Sequence, residues 1–131
     1  MPVAEVIAAV RVAATPEALD AAGWPADATV LRTAPDEVLV VDALDVTAPE
    51  PHAIVFPDTS WVRVRLTPSE GVALLAAEAT WPPPTAGLGQ GMVAGVPAKV
   101  VVGPDEWWVI VPGAVAAEFG ARVDAALGVH R

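Results

Sequence analysis

Along SWVRVRL, residues 60–66, Val62, Val64 and Leu66 alternate with Trp61, Arg63 and Arg65. A period of two is that of a half-buried β-strand. The period changes at Thr67. Thr67-Pro68-Ser69-Glu70 predicts a helix start, in which the threonine hydroxyl accepts from the Glu70 N–H and the Glu70 side chain reaches back. Pro68, at the first helical position, gives up no donor that the helix needs. Val72, Leu75, Ala76 and Ala79 follow at helical spacing and predict one apolar stripe. Two strands are predicted next, at 96–102 (VPAKVVV) and 107–111 (WWVIV), joined through GPDE. A closing helix is predicted over 113–127, with Val115, Phe119, Val123 and Ala126 on one face and Gly128 at its C-cap. Residues 81–95, WPPPTAGLGQGMVAG, read as the longest irregular stretch.

The same order is written earlier in the chain. VRVAATP (10–16) matches VRVRLTP (62–68), and each copy runs through an Ala-rich stretch to Trp-Pro, at Trp24-Pro25 and Trp81-Pro82. Each then reaches a PDE turn, APDE at 34–37 and GPDE at 103–106. Markers repeated in one order point to a duplicated unit. The first copy has Ala18 where the capping box has Glu70, so its helix, about 16–22, is expected to be shorter and weaker. Strands at 29–33 and 38–42 flank its PDE, residues 43–52 read as a linker, and AIVF (53–56) as a short strand. Proline at the second turn position presets φ, and the acidic pair behind it is expected to face water. PDE therefore reads as a hairpin connector rather than a catalytic carboxylate pair. The fold class is α+β: one domain over 1–131, made of two βαββ-like halves (about 1–50 and 53–131) in a pseudo-twofold arrangement, with an extra C-terminal helix.

Composition narrows the function classes. The chain is 54% hydrophobic, above the roughly 45–50% of ordinary soluble domains. Either the Ala and Val excess is absorbed in helices and strands, or it forms a face that another subunit covers. No apolar run approaches the ~20 residues needed to span a bilayer, and MPVAEVIAAV lacks the basic start of a signal peptide, so a cytoplasmic location is expected. The absence of cysteine excludes disulfides and thiol catalysis. A net charge of −9 with seven Lys+Arg argues against nucleic acid and anionic membranes as partners. Lys99 is the only lysine.

Reactive constellations are sparse. GLGQG (87–91) is not followed by Lys-Ser/Thr and does not open a helix after a strand, so it reads as a flexible loop rather than a phosphate cradle. His52 lies in a Pro-flanked linker and His130 is penultimate; neither has ligand spacing around it, and no metal site is expected. Ser69 belongs to a helix start, and Ser60 lacks a nucleophile-elbow context, so no catalytic residue is assigned. The tryptophans leave two readings open. They pack beneath loops, or Trp61, Arg63, Trp81 and Trp107 are anchors of a protein–protein interface, where Trp and Arg are enriched. Consecutive Trp107 and Trp108 must point to opposite faces of their strand.

The ordered motifs resemble a known family. LRTAPDEVLVV (31–41), AIVFPDTSWVRVRLTPSEGVALLAAE (53–78), GLGQGMVAGVPAKVVV (87–102) and WWVIVPGAVAAEF (107–119) are similar, in that order, to the γ subunit of heterotetrameric sarcosine oxidase. Asp58 and Ser60 match its Asp-x-Ser pair, and Pro68 with Leu74-Leu75 its following helix. The resemblance implies the aminomethyltransferase fold of the glycine-cleavage T protein's N-terminal folate-binding domain. It also implies a non-catalytic accessory subunit that supports oxidative demethylation of N-methyl amino acids. Larger flavoprotein subunits would carry FAD/FMN, NAD and tetrahydrofolate, with none assigned to this chain. Asp58 is the one cofactor-binding candidate here, and two alternatives stay open: a stand-alone tetrahydrofolate-binding, aminomethyltransferase-like enzyme using a carboxylate such as Asp58, or a self-associating module without an enzyme partner.

Overall fold

A computed structural model gives the fold, and residues 4–128 are described. The elements in chain order are β1 (Ala4–Val6), β2 (Ala9–Ala13), α1 (Pro16–Ala21), β3 (Thr29–Ala34), β4 (Glu37–Val41), β5 (Ile54–Pro57), β6 (Trp61–Leu66), α2 (Pro68–Glu78), β7 (Gly87–Val93), β8 (Val96–Val102), β9 (Trp107–Pro112) and α3 (Ala116–Ala126). A 3-10 turn, Gly113–Val115, leads into α3. The strands form two antiparallel sheets, ordered β1-β6-β9-β8-β7 and β3-β4-β2-β5. The chain divides into two compact units, one of residues 1–6 and 60–131, the other of residues 7–59.

The two sheets share a strand order. Read as β8-β9-β6-β1, the larger sheet follows β3-β4-β2-β5 strand for strand, with β7 added beyond β8. Each PDE turn joins neighbouring strands of an antiparallel hairpin, β3 to β4 and β8 to β9. In the second, the Gly103 N–H donates to the Glu106 carbonyl at 3.1 Å, and a Cβ on Gly103 would lie 2.8 Å from that oxygen. Only glycine closes that turn without displacement.

In the larger unit, α2 and α3 cover one face of the five-stranded sheet. Its core joins Val64 and Leu66 of β6, Val100 and Val102 of β8, Val109 and Val111 of β9, Leu74 and Leu75 of α2, and Phe119 and Val123 of α3. The cap of α2 is as expected: Thr67 Oγ1 accepts from the Glu70 N–H, and Glu70 Oε1 accepts from the Thr67 N–H at 2.8 Å. Gly128, with φ +73°, ends α3 in the left-handed conformation. In the smaller unit, Val10, Val12, Val38 and Val40 pack with Leu19 of α1, and Trp24 lies against them. Thr15 caps α1 through the Ala18 N–H, without the reciprocal carboxylate.

Three expectations are corrected. GLGQGMV is no loop but the edge strand β7, in full register with β8 from Gly87↔Val102 to Val93↔Val96. Its alternate glycines accept an aromatic lid. A Cβ on Gly91 would stand 2.5 Å from Trp81 Cε2, and one on Gly89 2.8 Å from Pro84 Cδ. The strand returns through Ala94 (φ 53°) and Gly95 (φ 76°), the two positive φ values of a type I′ hairpin. Secondly, the buried side of α2 carries Gly71, Leu74 and Leu75, whereas Val72 is 56% exposed. The helix is rotated from the expected stripe because Gly71 rests on the Trp107 ring, and glycine contributes nothing to an apolar pattern. Thirdly, the PDE glutamates do not simply face water, since both Glu37 and Glu106 hold arginines.

Candidate functional site

Strand β6 lies between β1 and β9 in its sheet, and its alternation sends Val62, Val64 and Leu66 to one face and Trp61, Arg63 and Arg65 to the other. Arg63 is 3% exposed, an unusual place for a guanidinium. Glu5 and Trp108 help make it tolerable. Glu5, opposite it on β1, accepts from Arg63 Nε at 2.8 Å. The Trp108 ring lies 4.3 Å from the guanidinium carbon, in cation–π range. Arg65 extends the cluster: its Nε donates to the same Glu5 oxygen at 2.6 Å, and its second nitrogen to Glu106 Oε2 at 2.7 Å. Trp108 Nε1 donates to that Glu106 oxygen at 2.7 Å. The hydrogen bond from Arg63, then that from Arg65, hold the Glu5 carboxyl below its usual range against the opposing effect of partial burial.

The smaller unit has a related cluster at the matching place in the repeat. Arg11 donates from Nε and a terminal nitrogen to Asp58 Oδ2 at 3.0 and 2.9 Å, and from its other nitrogen to Glu37. Thr33 Oγ1 donates to the second Glu37 oxygen at 3.0 Å. Burial works against the Arg11 charge, but the hydrogen bonds to Glu37 and Asp58 outweigh it and raise its pKa. Asp58 is thus engaged by a cation in a fixed ion pair, with its side chain 12% exposed. In both units an arginine of the first repeat strand is held by a carboxylate from the neighbouring edge-strand segment.

The interface candidates separate by environment. Trp107 is 5% exposed and packed in the core on Gly71, not at the surface. Trp81 is half-buried, its ring over Gly91 and its Nε1 donating to the Met92 carbonyl at 2.9 Å. Arg63 is buried, with its guanidinium over the Trp108 ring. Trp61 faces Lys99, whose ammonium lies 4.7 Å from the ring centre. Lys99 also donates to Gln90 Oε1 at 3.0 Å. Around this pair opens a cavity of about 190 Å³, walled by Met92 and Pro97.

His52 sits exposed in the turn before β5, and His130 lies outside the described residues. Among the described residues, no group of three His, Cys, Asp or Glu is placed to hold a metal, and no helix is long and apolar enough to cross a membrane. Sequence reasoning missed Glu5, Trp108 and Gln90 as partners. Lys99 alone carried a readable signal, a single cation within VPAKVVV.

No family model matches this chain, and no curated protein matches it. Among solved structures it is similar to a chain of heterotetrameric sarcosine oxidase from Corynebacterium sp. U-96, in complex with pyrrole 2-carboxylate. The TM-score is 0.74 at 14% identity, covering 97% of this chain and 84% of that one. The fold is shared.

Proposed function

We propose that this chain is a non-catalytic accessory subunit of a sarcosine oxidase-like flavoenzyme, held against larger subunits that carry flavin, nicotinamide and folate. On this reading the complex oxidatively demethylates N-methylated amino acids. The likeness to a chain of a heterotetramer, over 97% of this chain, carries the proposal. The γ-subunit resemblance of its ordered motifs supports it. So does the chemistry of the two clusters, where each arginine and each carboxylate is matched to an opposite charge in a structural role. The shared strand order fits an origin by duplication.

Affinity capture of the tagged chain from its native host tests the reading. The expected result is co-purification of larger polypeptides with a visible flavin spectrum. Recovery of the chain without any flavoprotein would overturn it.

A further inference from the structure

The five-stranded sheet carries an unusual concave spot at its β7–β8 end. Trp61 of β6 and Lys99 of β8 meet there, with Gln90 fixing the ammonium from β7. Met92 is 52% exposed, a thioether left in water on the rim. Pro97 beside it stiffens the opposite side. Indole, thioether and proline make the walls apolar, and Lys99 is the one charged group among the described lining residues.

The volume decides what fits. Small-molecule sites commonly occupy about 300–1,000 Å³, whereas a cavity of about 150 Å³ takes a benzene ring. At about 190 Å³ this cavity holds one large side chain, not a cofactor. Charge decides what stands next to it. The whole chain has a charge of −9 and repels acidic partners generally, yet its only lysine is placed at this mouth. A carboxylate finds a local ammonium here, and an apolar ring or branched chain finds the indole beneath it. Gln90 already orients Lys99, so little side-chain entropy remains to be lost on docking.

We infer that the Trp61–Lys99 cavity is the seat of an anchor from the larger partner subunit, an aromatic or branched apolar side chain adjacent to an Asp or Glu. The inference rests on the accessory-subunit reading and adds the docking point and the chemistry of what docks. Anchors of this kind, desolvated in a pocket and ringed by weaker contacts, dominate protein interfaces.

The test repeats the affinity capture with Lys99→Glu, with Met92→Glu on the rim, and with Arg122→Glu as an exposed control on α3. Circular dichroism first checks that each is folded. Both cavity variants are expected to lose captured flavoprotein by at least about tenfold, and the control to retain it. Equal capture by wild type and both variants overturns the docking point and leaves the subunit reading standing. No flavoprotein with wild type overturns the subunit reading and this inference with it. Two further outcomes also overturn the inference: a wild-type homodimer in sedimentation that Lys99→Glu dissociates, or roughly micromolar binding of 3-phenylpropanoate at the cavity. The first makes the occupant a second copy and the second a free small acid.

Discussion

Replacing Gly71 by alanine sets two effects of opposite sign against each other. Inside a helix, glycine to alanine is worth about 1 kcal/mol of stabilisation, because alanine loses less backbone freedom on folding. Here the new Cβ would stand 2.2 Å from Trp107 Cε3 and 2.5 Å from Cδ2. Relaxed carbon–carbon contacts lie near 3.5–4.0 Å, so α2 or the indole must move by more than 1 Å. Trp107 cannot move freely, being 5% exposed on a strand paired on both sides. Overpacking of this kind costs roughly 1–3 kcal/mol, and so large an overlap belongs at the upper end. The net expectation is destabilisation by about 2 kcal/mol, read in urea as a midpoint lowered by about 1 M. Trp107→Leu should reverse the sign: in that background Gly71→Ala should stabilise, because the obstructing ring is gone. A raised urea midpoint for the single Gly71→Ala variant would refute the close packing of α2 on Trp107.

Other expectations follow from the same geometry. Glu5→Gln should cost about 1–2 kcal/mol in thermal or urea unfolding, less than a fully buried pair, because Glu5 is 39% exposed and partly screened while Arg63 is not. Since the folded pKa of Glu5 is lowered, its contribution is present above the unfolded value and is lost as pH falls through the folded value. The wild type should therefore lose stability faster on acidification than Glu5→Gln, and parallel pH profiles would contradict this. Thr67→Ala should cost about 1 kcal/mol by removing one half of a reciprocal cap, measurable as a midpoint shift. Gly91→Ala should displace Trp81 and break its bond to the Met92 carbonyl, seen as altered tryptophan fluorescence. Unchanged emission would contradict the seating of that ring. Trp107→Ala should lower stability by about 3–5 kcal/mol, as for a core aromatic.

The parts of the fold legible in the sequence were those with local causes. The β6 alternation, the Thr67–Glu70 box and the two PDE turns each lie within a few residues, and the structure places a strand, a cap and hairpins there. Legibility ended where the cause lay elsewhere in the chain. The glycines of β7 imitate a loop because their purpose is to admit Trp81 and Pro84 from another segment. The buried face of α2 contains a glycine, which no hydrophobic count registers. Burial of Arg63 depends on Glu5 and Trp108, distant in sequence on both sides. Asp58 is a cofactor-binding candidate by resemblance alone, and the pairing of β5 with β2 brings Arg11 onto it. Lys99 stood out by rarity, while its pairing with Trp61 required two strands to lie across a third.

Sedimentation velocity on material captured from the native host, recorded both in the visible flavin band and at the tryptophan wavelength, tests the subunit assignment most directly. The account predicts one boundary, heavier than this 13.4 kDa chain, carrying both signals and containing this chain together with larger polypeptides. A flavin-free boundary at the mass of the chain alone, or of its homo-oligomer, would contradict it.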